Sequence, residues 1–529
     1  MTLPALLDDA ADRFAPREAL VSGRRRMTYA ELARESVRIG RALAARGVGK
    51  GTRVGLLAPN WPEWIAIAFG VWRCGGVLVP LNTLNRAREL AHCLGHADVQ
   101  LLLAVRGFLR HDYVAALEEI APGAATAPPP LHDARLPALR EVVWLDGGLV
   151  GDGGLDDAWP AVLGREVVDA DAATIFFTSG TTAEPKGVVH VHRALCRAAD
   201  DIAAVLGIEA EDRTWGYLPF FFTGGLVAVA LATLARGGGV ILQEVFEPGE
   251  TLRLLAAERC TVFFAWPHQA EALIAHPDFR TTKLRLRKGV GANTKWAAAL
   301  YPANHQAVGT YGMTETAPLC TAWPWDAPLP LRAASHGPPV RGREVRISDP
   351  ETGTVLPAGR EGEIRVRGPS LFSHYWRQEP RDCFDAEGFF QTGDLGRLDE
   401  RGALHFLGRI KDVIKTAGVN VAAAEVEAAL LAHPAVGAAH VVGVVDATRG
   451  ENVAAFIVAT GALDVDDVLI HCRSRLASYK VPRHIWVRRE DELPVKGSGK
   501  VDKARLRDEA ARLVRDAAAR SGSPPGSPA

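Results

Sequence analysis

The chain has 529 residues, of which 48% are hydrophobic and 23% charged, and its formal net charge is −1. This length predicts about three to four domains, and the composition is that of a globular protein with large cores. Because nucleic-acid-binding proteins usually carry a basic excess or a basic face, the balanced charge argues against a nucleic-acid partner.

The N-terminal segment and the cysteines indicate the compartment. MTLPALLDDAADRF has acids where a signal peptide needs lysine or arginine. The longest apolar runs, such as GGLVAVALATLA, are shorter than the roughly 20 residues that span a bilayer. The seven cysteines are odd in number and form no C-x-x-C pair, which is typical of a reducing compartment rather than of a disulfide framework or zinc site. We expect a cytoplasmic protein without a membrane span.

The first part of the chain alternates helix and strand signals. MTYAELARESVRIGRALAARG predicts an amphipathic helix that ends at Gly47, and RVGLLAPN predicts a buried strand. WPEWIAIAFGVWRCGG predicts a second helix, and VLVPLN a second strand. This β-α-β-α order predicts parallel sheets covered by helices. Residues 121–135 are rich in proline and alanine and predict a loop.

A polar loop, TSGTTAEPKG at 178–187, follows the predicted strand ATIFF and precedes VVHVHRALCRAADDIAAVLG, which predicts mostly helix. We therefore expect a strand-to-helix junction. The loop is not a Walker A motif, which requires G-x-x-x-x-G-K-[ST]. Gly180 allows backbone amides to approach an anion, the neighbouring serine and threonines add hydroxyl donors, and Lys186 adds charge. The loop is typical of a phosphate site.

The C-terminal third has a different pattern of predicted helices and strands. From about residue 340, VRISDPETGTVLPAGREGEIRVRG predicts short strands joined by turns, as in a small β-rich subdomain. After Gly408, the helices AAAEVEAALLAHPAV and VDDVLIHCRSRLA and the strands AAHVVGVVD and NVAAFIVAT predict a compact α+β unit. The last residues, SGSPPGSPA, contain too few apolar side chains to order themselves.

TSGTTAEPKG resembles the phosphate-binding loop of the adenylate-forming superfamily, which includes acyl-CoA synthetases, aryl-CoA ligases, peptide-synthetase adenylation domains and luciferases. Further motifs of the family occur in its order: MTYAEL at 27–32, VPLN at 79–82, YGMTET at 311–316, QTGD at 391–394, GRIKDVIKTAG at 408–418 and PVKGSGK at 494–500. The resemblance covers nearly the whole chain.

The resemblance implies an α/β fold with a large N-terminal domain of helix-covered, mainly parallel sheets plus a small β-rich subdomain, followed by a hinged small α+β C-terminal domain. The expected boundaries are 1–408 for the N-terminal adenylation domain, with the β-rich subdomain at about 340–408, then a hinge at 409–411. A mobile C-terminal domain at 412–517 and a disordered tail at 518–529 complete the chain.

In this family a carboxylate attacks the α-phosphorus of ATP and pyrophosphate leaves, so positive charge and positioning must bring two anions together. The resemblance implies that Tyr311 stacks on adenine, that Asp394 accepts hydrogen bonds from both ribose hydroxyls, and that Arg409 is a second ribose contact. The full set of expected nucleotide- and phosphate-binding residues is Thr178, Ser179, Gly180, Thr181, Thr182, Lys186, Tyr311, Gly312, Asp394 and Arg409.

The resemblance also implies the catalytic residues of the first step. Thr314 contacts the α-phosphate and the substrate carboxylate, and Glu315 binds Mg²⁺, which prefers oxygen ligands. Lys500 enters the site and bridges the carboxylate and the α-phosphate, since an ammonium on a flexible stem suits a residue that arrives and leaves.

In the second step of this family, the small domain rotates about Lys411, withdraws Lys500 and the acyl group passes to a thiol. Gly418 is expected to line the thiol tunnel, and Lys415 occupies the position of a lysine that some relatives use in this step. The chain departs from the common family pattern at two positions: Ala417 stands where many members have glycine, and Ala423 where many have proline.

PFFFTGGL at 219–226 marks the expected acyl side of the site. Phe222 stands where many acyl- and aryl-CoA ligases have histidine, and no acid is available to pair with a substrate amine, whose burial without a partner would cost several kcal/mol. We therefore expect a carboxylic acid with an apolar body. The candidates for its pocket are Phe222, Trp266, Gly289, Gly291, Ala292 and Cys320.

The expected activity is an AMP-forming acid–thiol ligase that uses ATP, Mg²⁺ and CoA. Within the family, the enzyme could instead stop at the acyl adenylate or pass the acyl group to the phosphopantetheine of a carrier protein. A luciferase-like oxygenase and a non-catalytic nucleotide-binding or scaffold protein are the alternatives of other classes. The sequence leaves open the acid, the acceptor and whether the protein is a homodimer.

Overall fold

A computed structural model describes residues 1–23, 25–145, 166–178, 185–416, 419–446, 448–496 and 500–521. The predicted fold is confirmed: two mainly parallel sheets covered by helices are followed by an antiparallel sheet and a small α+β unit. Within the described residues, no helix combines the length and the apolar character needed to cross a membrane.

The largest sheet has seven strands, of which six run in one direction and one, Gly187–Val191 next to the edge, runs antiparallel to them. The predicted strands RVGLLAPN and VLVPLN are both in its parallel part. In spatial order the strands are His374–Tyr375, Gly187–Val191, Ala172–Phe177, Val77–Pro80, Arg53–Leu57, Leu101–Ala104 and Glu141–Trp144.

The second sheet has six strands, five of them parallel and one antiparallel at the edge. In spatial order they are Lys288–Gly289, Val262–Phe263, Arg213–Gly216, Gly239–Leu242, Glu18–Ser22 and Arg25–Thr28. Two short hairpins lie outside both sheets: Gly107–Phe108 with His111–Asp112, and Thr310–Tyr311 with Thr321–Ala322.

Helices fill the space between and around these sheets. The helix Pro62–Arg73 is mostly apolar and is buried along almost its whole length. Trp72 donates to the Ala173 carbonyl of the seven-stranded sheet, and the Trp64 ring packs on Phe220. The helices of the large domain are Leu3–Phe14, Tyr29–Ala45, Pro62–Arg73, Ala87–His96, Tyr113–Ile120, His192–Leu206, the π-helix Gly224–Leu231 continued by Ala232–Leu234, Pro248–Ala257, Pro267–Ala275, Ala297–Leu300 and Leu329–Ala334.

The β-rich segment predicted after residue 340 is an antiparallel four-stranded sheet of Glu344–Ser348, Gly362–Arg367, Phe390–Leu398 and Leu404–Arg409. The C-terminal unit has a five-stranded sheet of Val419–Ala422, Val413–Thr416, Gly450–Ala459, Val436–Asp446 and His484–Val487. Its helices are Ala423–Leu431, Val465–Arg473 and Lys503–Ser521. The last helix continues past residue 518, where we expected the tail to begin, and residues 522–529 lie outside the described part.

One local prediction is wrong. The loop at 178–187 does not join a strand to a helix but two antiparallel strands, Ala172–Phe177 and Gly187–Val191, and the helix begins only at His192. The residues after the loop are mostly β-branched, and they pair with both Ala172–Phe177 and the distant edge strand His374–Tyr375. The pairing with His374–Tyr375 joins distant parts of the sequence, so no local pattern predicts it. The helical pattern downstream therefore led us to expect a helix directly after the loop.

Candidate active site

A cavity of about 820 Å³ lies between the large domain and the C-terminal unit. Its wall is formed by the seven-stranded sheet, other segments of the large domain, the four-stranded sheet and Lys500 of the C-terminal unit. This central cavity is lined by Phe177, Thr178, Lys186, Leu218, Phe222, Thr223, Gly224, Gly225, Trp266, Gly312, Met313, Thr314, Glu315, Pro318, Glu363, Tyr375, Phe390, Gln391, Thr392, Gly393, Arg409 and Lys500.

Backbone geometry brings the first of these residues to the cavity. The Thr178 N–H donates to the Lys186 carbonyl at 3.1 Å, which continues the antiparallel pairing of the two strands and holds both residues at the cavity. Gly312 follows the short strand Thr310–Tyr311, and a Cβ there would lie 1.6 Å from the carbonyl oxygen of Pro318. Only glycine therefore allows the chain to turn here and present the residues that follow.

Tyr375 connects two of the predicted residues, and the sequence did not identify it. Its hydroxyl donates to Glu315 Oε1 at 2.8 Å, and the Lys186 ammonium lies 4.7 Å from the centre of its ring. A cation over an aromatic face is attracted by the ring quadrupole. Tyr375 therefore contacts both the Glu315 carboxylate and the Lys186 ammonium, although Glu315 is 60 residues away in the chain.

A second cluster joins Tyr311, Asp394 and Arg409. The Tyr311 hydroxyl donates to Asp394 Oδ2 at 2.7 Å, and its ring stacks on Phe406. Arg409 Nε lies 2.8 Å from Asp394 Oδ1, close enough for an ion pair, yet no N–H points at this oxygen and Oδ1 has no hydrogen-bond partner among the described residues. Burial raises the pKa of Asp394, and the Arg409 charge opposes that shift.

Thr314 is held from behind by a histidine. His190 is fully buried and its Nε2 lies 2.9 Å from the Thr314 carbonyl oxygen, so this nitrogen carries a proton and donates. Burial lowers the pKa of His190 to about 4, which makes it neutral at physiological pH. The bond fixes the backbone of Thr314 and leaves its side chain to the cavity.

Lys500 is the contribution of the C-terminal unit to the central cavity. Its backbone carbonyl accepts from the Lys496 N–H at 2.8 Å. Part of its surface faces the open space of the cavity, while protein atoms from two domains surround it. This desolvation lowers the pKa of Lys500, and the charges of Arg409 and Lys496 lower it further.

A second cavity of about 680 Å³ adjoins the first, and Phe222, Trp266 and Lys500 line both. Phe222 and Trp266 meet edge to face with ring centres 6.3 Å apart. Four exposed apolar side chains, Leu84, Leu109, Val245 and Val495, belong to its wall, together with polar residues from both domains. This interdomain cavity is therefore an apolar space that leads to the aromatic side of the central cavity.

The structure brings most of the predicted residues together. Thr178, Lys186, Gly312, Thr314, Glu315, Arg409, Lys500, Phe222 and Trp266 all line the central cavity. Tyr311 and Asp394 lie behind the wall, joined to Arg409 as described. Lys411 is in the short turn Ile410–Asp412 between the four-stranded sheet and the C-terminal unit, where burial lowers its pKa.

Other predicted residues are elsewhere. Gly289, Gly291, Ala292 and Cys320 line neither cavity. The Trp296 ring occupies the space beside Gly291, because a Cβ there would lie 2.3 Å from its Cη2 atom, and Ala292 packs in the same cluster. Lys415 is exposed and lines neither cavity. Ser179, Gly180, Thr181, Thr182 and Gly418 lie outside the described residues.

Comparison with known protein families agrees with this architecture. Residues 7–376 match the family described as AMP-binding enzyme, and residues 425–500 match the AMP-binding enzyme C-terminal domain. The chain belongs to the AMP-binding enzyme family. Members of this family are the adenylate-forming enzymes that the sequence motifs indicated.

Individual relatives of this AMP-binding enzyme extend over almost its whole length. A feruloyl-CoA synthase of an Amycolatopsis species is 33% identical, covering 94% of this chain and 96% of the relative. The ATP-bound MatB of Rhodopseudomonas palustris is 30% identical with a TM-score of 0.81, covering 97% and 100% of the two chains. An anthranilate CoA ligase in complex with anthranoyl-AMP is 26% identical with a TM-score of 0.83, covering 97% and 98%.

Proposed function

We propose that this AMP-binding enzyme is an acid–thiol ligase that converts an apolar carboxylic acid and ATP to acyl-AMP and pyrophosphate, and then transfers the acyl group to CoA. The observation that carries the proposal is the convergence of Lys186, Glu315, Arg409 and Lys500, from distant parts of the chain, on one cavity. The likeness to acyl- and aryl-CoA ligases over the whole chain supports the same reaction.

In the first step, a carboxylate oxygen of the acid attacks the α-phosphorus, and the bond to the bridging oxygen of pyrophosphate breaks. The acid and the triphosphate repel each other, so catalysis depends on preorganised positive charge. Lys500 bridges the carboxylate and the α-phosphate, and Thr314 donates its hydroxyl to these two groups. Lys186, together with the loop at 178–187, neutralises the departing phosphates.

The nucleoside is held by the cluster behind the wall. Asp394 Oδ1 is buried and its lone pairs are free of N–H and O–H donors among the described residues, so it can accept hydrogen bonds from the ribose hydroxyls. Arg409 keeps the carboxylate charged against the cost of burial. Tyr311, whose hydroxyl is fixed by the other oxygen of Asp394, contributes its ring to the adenine site.

The residues present also fit Mg²⁺. Glu315 lines the central cavity, and carboxylate oxygens are ligands that Mg²⁺ uses together with substrate phosphates. Glu315 has one oxygen bound by Tyr375, which leaves the other for a cation. A bound Mg²⁺ would neutralise phosphate charge, while Tyr375 fixes the orientation of the carboxylate.

The acid and the thiol occupy the aromatic side. Phe222, Trp266 and Leu218 give the central cavity an apolar wall beside Thr314, where the body of an apolar acid packs. The interdomain cavity meets this wall at Phe222. When the C-terminal unit rotates and Lys500 leaves, the side of the cavity formed by the large domain remains, and the thiol of CoA approaches the acyl carbonyl along that side. The sulfur loses its proton and attacks the carbonyl carbon, the bond from that carbon to the phosphate oxygen breaks, and AMP leaves.

A panel of aliphatic, aromatic and polycyclic acids, screened by pyrophosphate release and followed by chromatography of the products with and without CoA, tests this function. We expect release with apolar acids and a CoA thioester only when CoA is present. An acyl adenylate that persists with CoA present would establish the alternative in which the enzyme stops there. Transfer to a carrier protein alone would identify that acceptor instead. No pyrophosphate with any acid would contradict the ligase assignment.

A further inference from the structure

A long stretch of the chain carries only positive charge. Residues 279–314 contain no aspartate or glutamate, although the whole chain has 62 acids and 61 lysines and arginines. Six cations fall in this stretch, and they are Arg280, Lys283, Arg285, Arg287, Lys288 and Lys295. The rest of the chain has the opposite imbalance, with seven more acids than lysines and arginines.

Part of this stretch forms the wall of a separate cavity of about 720 Å³. Lys283, Arg285 and Arg287 are exposed and alternate with the more buried Leu284 and Leu286. In an extended segment, residues two apart point to the same side, so the three cations share one face. All three line the cavity, and none of its lining residues lines the central or the interdomain cavity.

Two of these cations are unpaired within the part of the chain that the structure describes. Arg287 forms an ion pair with the buried Asp212 at 3.0 Å. Among the described residues, Lys283 and Arg285 make no ion pair and no side-chain hydrogen bond. Charges of one sign around a concave surface raise the local concentration of counter-ions, and here no acid of the cavity wall cancels that effect.

The cavity is on the opposite edge of the six-stranded sheet from the active site. The N–H of Arg287, which precedes the strand Lys288–Gly289, donates to the carbonyl of Thr261, which precedes the parallel strand Val262–Phe263. Both residues therefore mark the amino edge of the sheet. Trp266 follows the carboxyl end of the latter strand and lines the central cavity.

We propose that this cavity, lined by Lys283, Arg285 and Arg287, binds a phosphate-bearing anion at a site separate from the nucleotide site. The planar guanidinium of arginine matches two phosphate oxygens at once, and lysine adds a point charge. Thr282, Asn304 and Gln306 are further lining residues with groups that can hydrogen-bond to phosphate oxygens. The anion comes either from solution, as a phosphate or pyrophosphate, or from the headgroup of an anionic lipid.

Lysine labelling read by mass spectrometry tests the proposal residue by residue on the full-length protein. Lys283 is labelled with and without pyrophosphate, and with vesicles of phosphatidylglycerol or, as a neutral control, phosphatidylcholine, all at equal ionic strength. Lys50, which is exposed and far along the chain, is the internal reference. We expect pyrophosphate, phosphatidylglycerol or both to slow the labelling of Lys283 and not of Lys50.

Protection by pyrophosphate alone identifies a soluble ligand, and protection by the anionic vesicles alone identifies a lipid headgroup. The substitution Arg285→Gln should raise the anion concentration needed for half-protection about tenfold, since a lost charged hydrogen bond is worth roughly one decade in affinity. Arg381→Gln removes an exposed arginine of the β-rich subdomain and should change nothing. Equal labelling of Lys283 under all conditions, or equal effects of the two substitutions, would overturn the proposal and leave a solvated basic face.

Discussion

Replacing Lys500 by alanine should slow adenylation and spare the thioester step. The ammonium lines the central cavity with Lys186 and Arg409, and it makes no ion pair with any described residue. Its removal therefore leaves no buried acid unpaired, so folding should be unaffected. The loss is confined to the charge that Lys500 places between the two anions in the transition state.

The expected size follows from comparable charge stabilisers, whose loss costs about 2.7–4 kcal/mol, or 10²–10³ in rate. Because Lys186 and Arg409 remain in the cavity and keep part of the positive field, we expect the lower end, about 10²-fold or about 2.7 kcal/mol. ATP–pyrophosphate exchange with the preferred acid measures this step. Synthetic acyl-AMP with CoA bypasses it, and there the variant should stay within about twofold of the wild type, a difference of less than about half a kcal/mol.

Lys415→Ala is the matched control, because this lysine is exposed and lines neither cavity. It should leave exchange unchanged and slow thioester formation from acyl-AMP, the step in which the family resemblance places this lysine. Exchange by Lys500→Ala at wild-type rate, or an equal loss in both half-reactions, would refute the reasoning for Lys500.

Three further predictions follow from the same geometry. Tyr375→Phe keeps the ring beside Lys186 but removes the hydroxyl that holds Glu315, so the Mg²⁺ concentration for half-maximal exchange should rise about tenfold; an unchanged Mg²⁺ requirement would contradict the link. Since desolvation lowers the pKa of Lys500, the alkaline decline of kcat/KM for exchange should begin below the ordinary lysine value of about 10.4, and Lys500→Arg should move that decline to higher pH; a decline common to both proteins would exclude Lys500 as its origin. Gly312→Ala should abolish exchange, because its Cβ would overlap the Pro318 carbonyl, and a variant that folds with normal activity would show that the turn can shift.

Much of the fold follows from local sequence patterns. The helix Tyr29–Ala45 begins at Thr28, where the threonine and Glu31 form a reciprocal capping box, and the apolar residues recur on one face. The strands Arg53–Leu57 and Val77–Pro80 and the antiparallel sheet after residue 340 were similarly predictable from apolar runs between turn residues. These signals are contained in segments of ten to twenty residues, where propensity and periodicity act.

Features that depend on distant pairing could not be predicted. The strand Gly187–Val191 exists because Ala172–Phe177 and His374–Tyr375 pair with its two edges. The edge strand His374–Tyr375 also brings Tyr375 to Glu315, and a tyrosine or a glutamate in the sequence does not by itself indicate such a contact. Similarly, only the packed core shows that Trp296 fills the space beside Gly291, so the extent of the acyl wall required the structure.

A crystal structure with an unreactive ATP analogue tests most directly the claim that both domains gather charge around one triphosphate. We expect the α-phosphate within hydrogen-bond distance of Lys500 Nζ and the Thr314 hydroxyl, with the ribose on Asp394. A triphosphate bound away from Glu315, Thr314 and Lys186 would contradict the central claim, whatever position the C-terminal unit adopts.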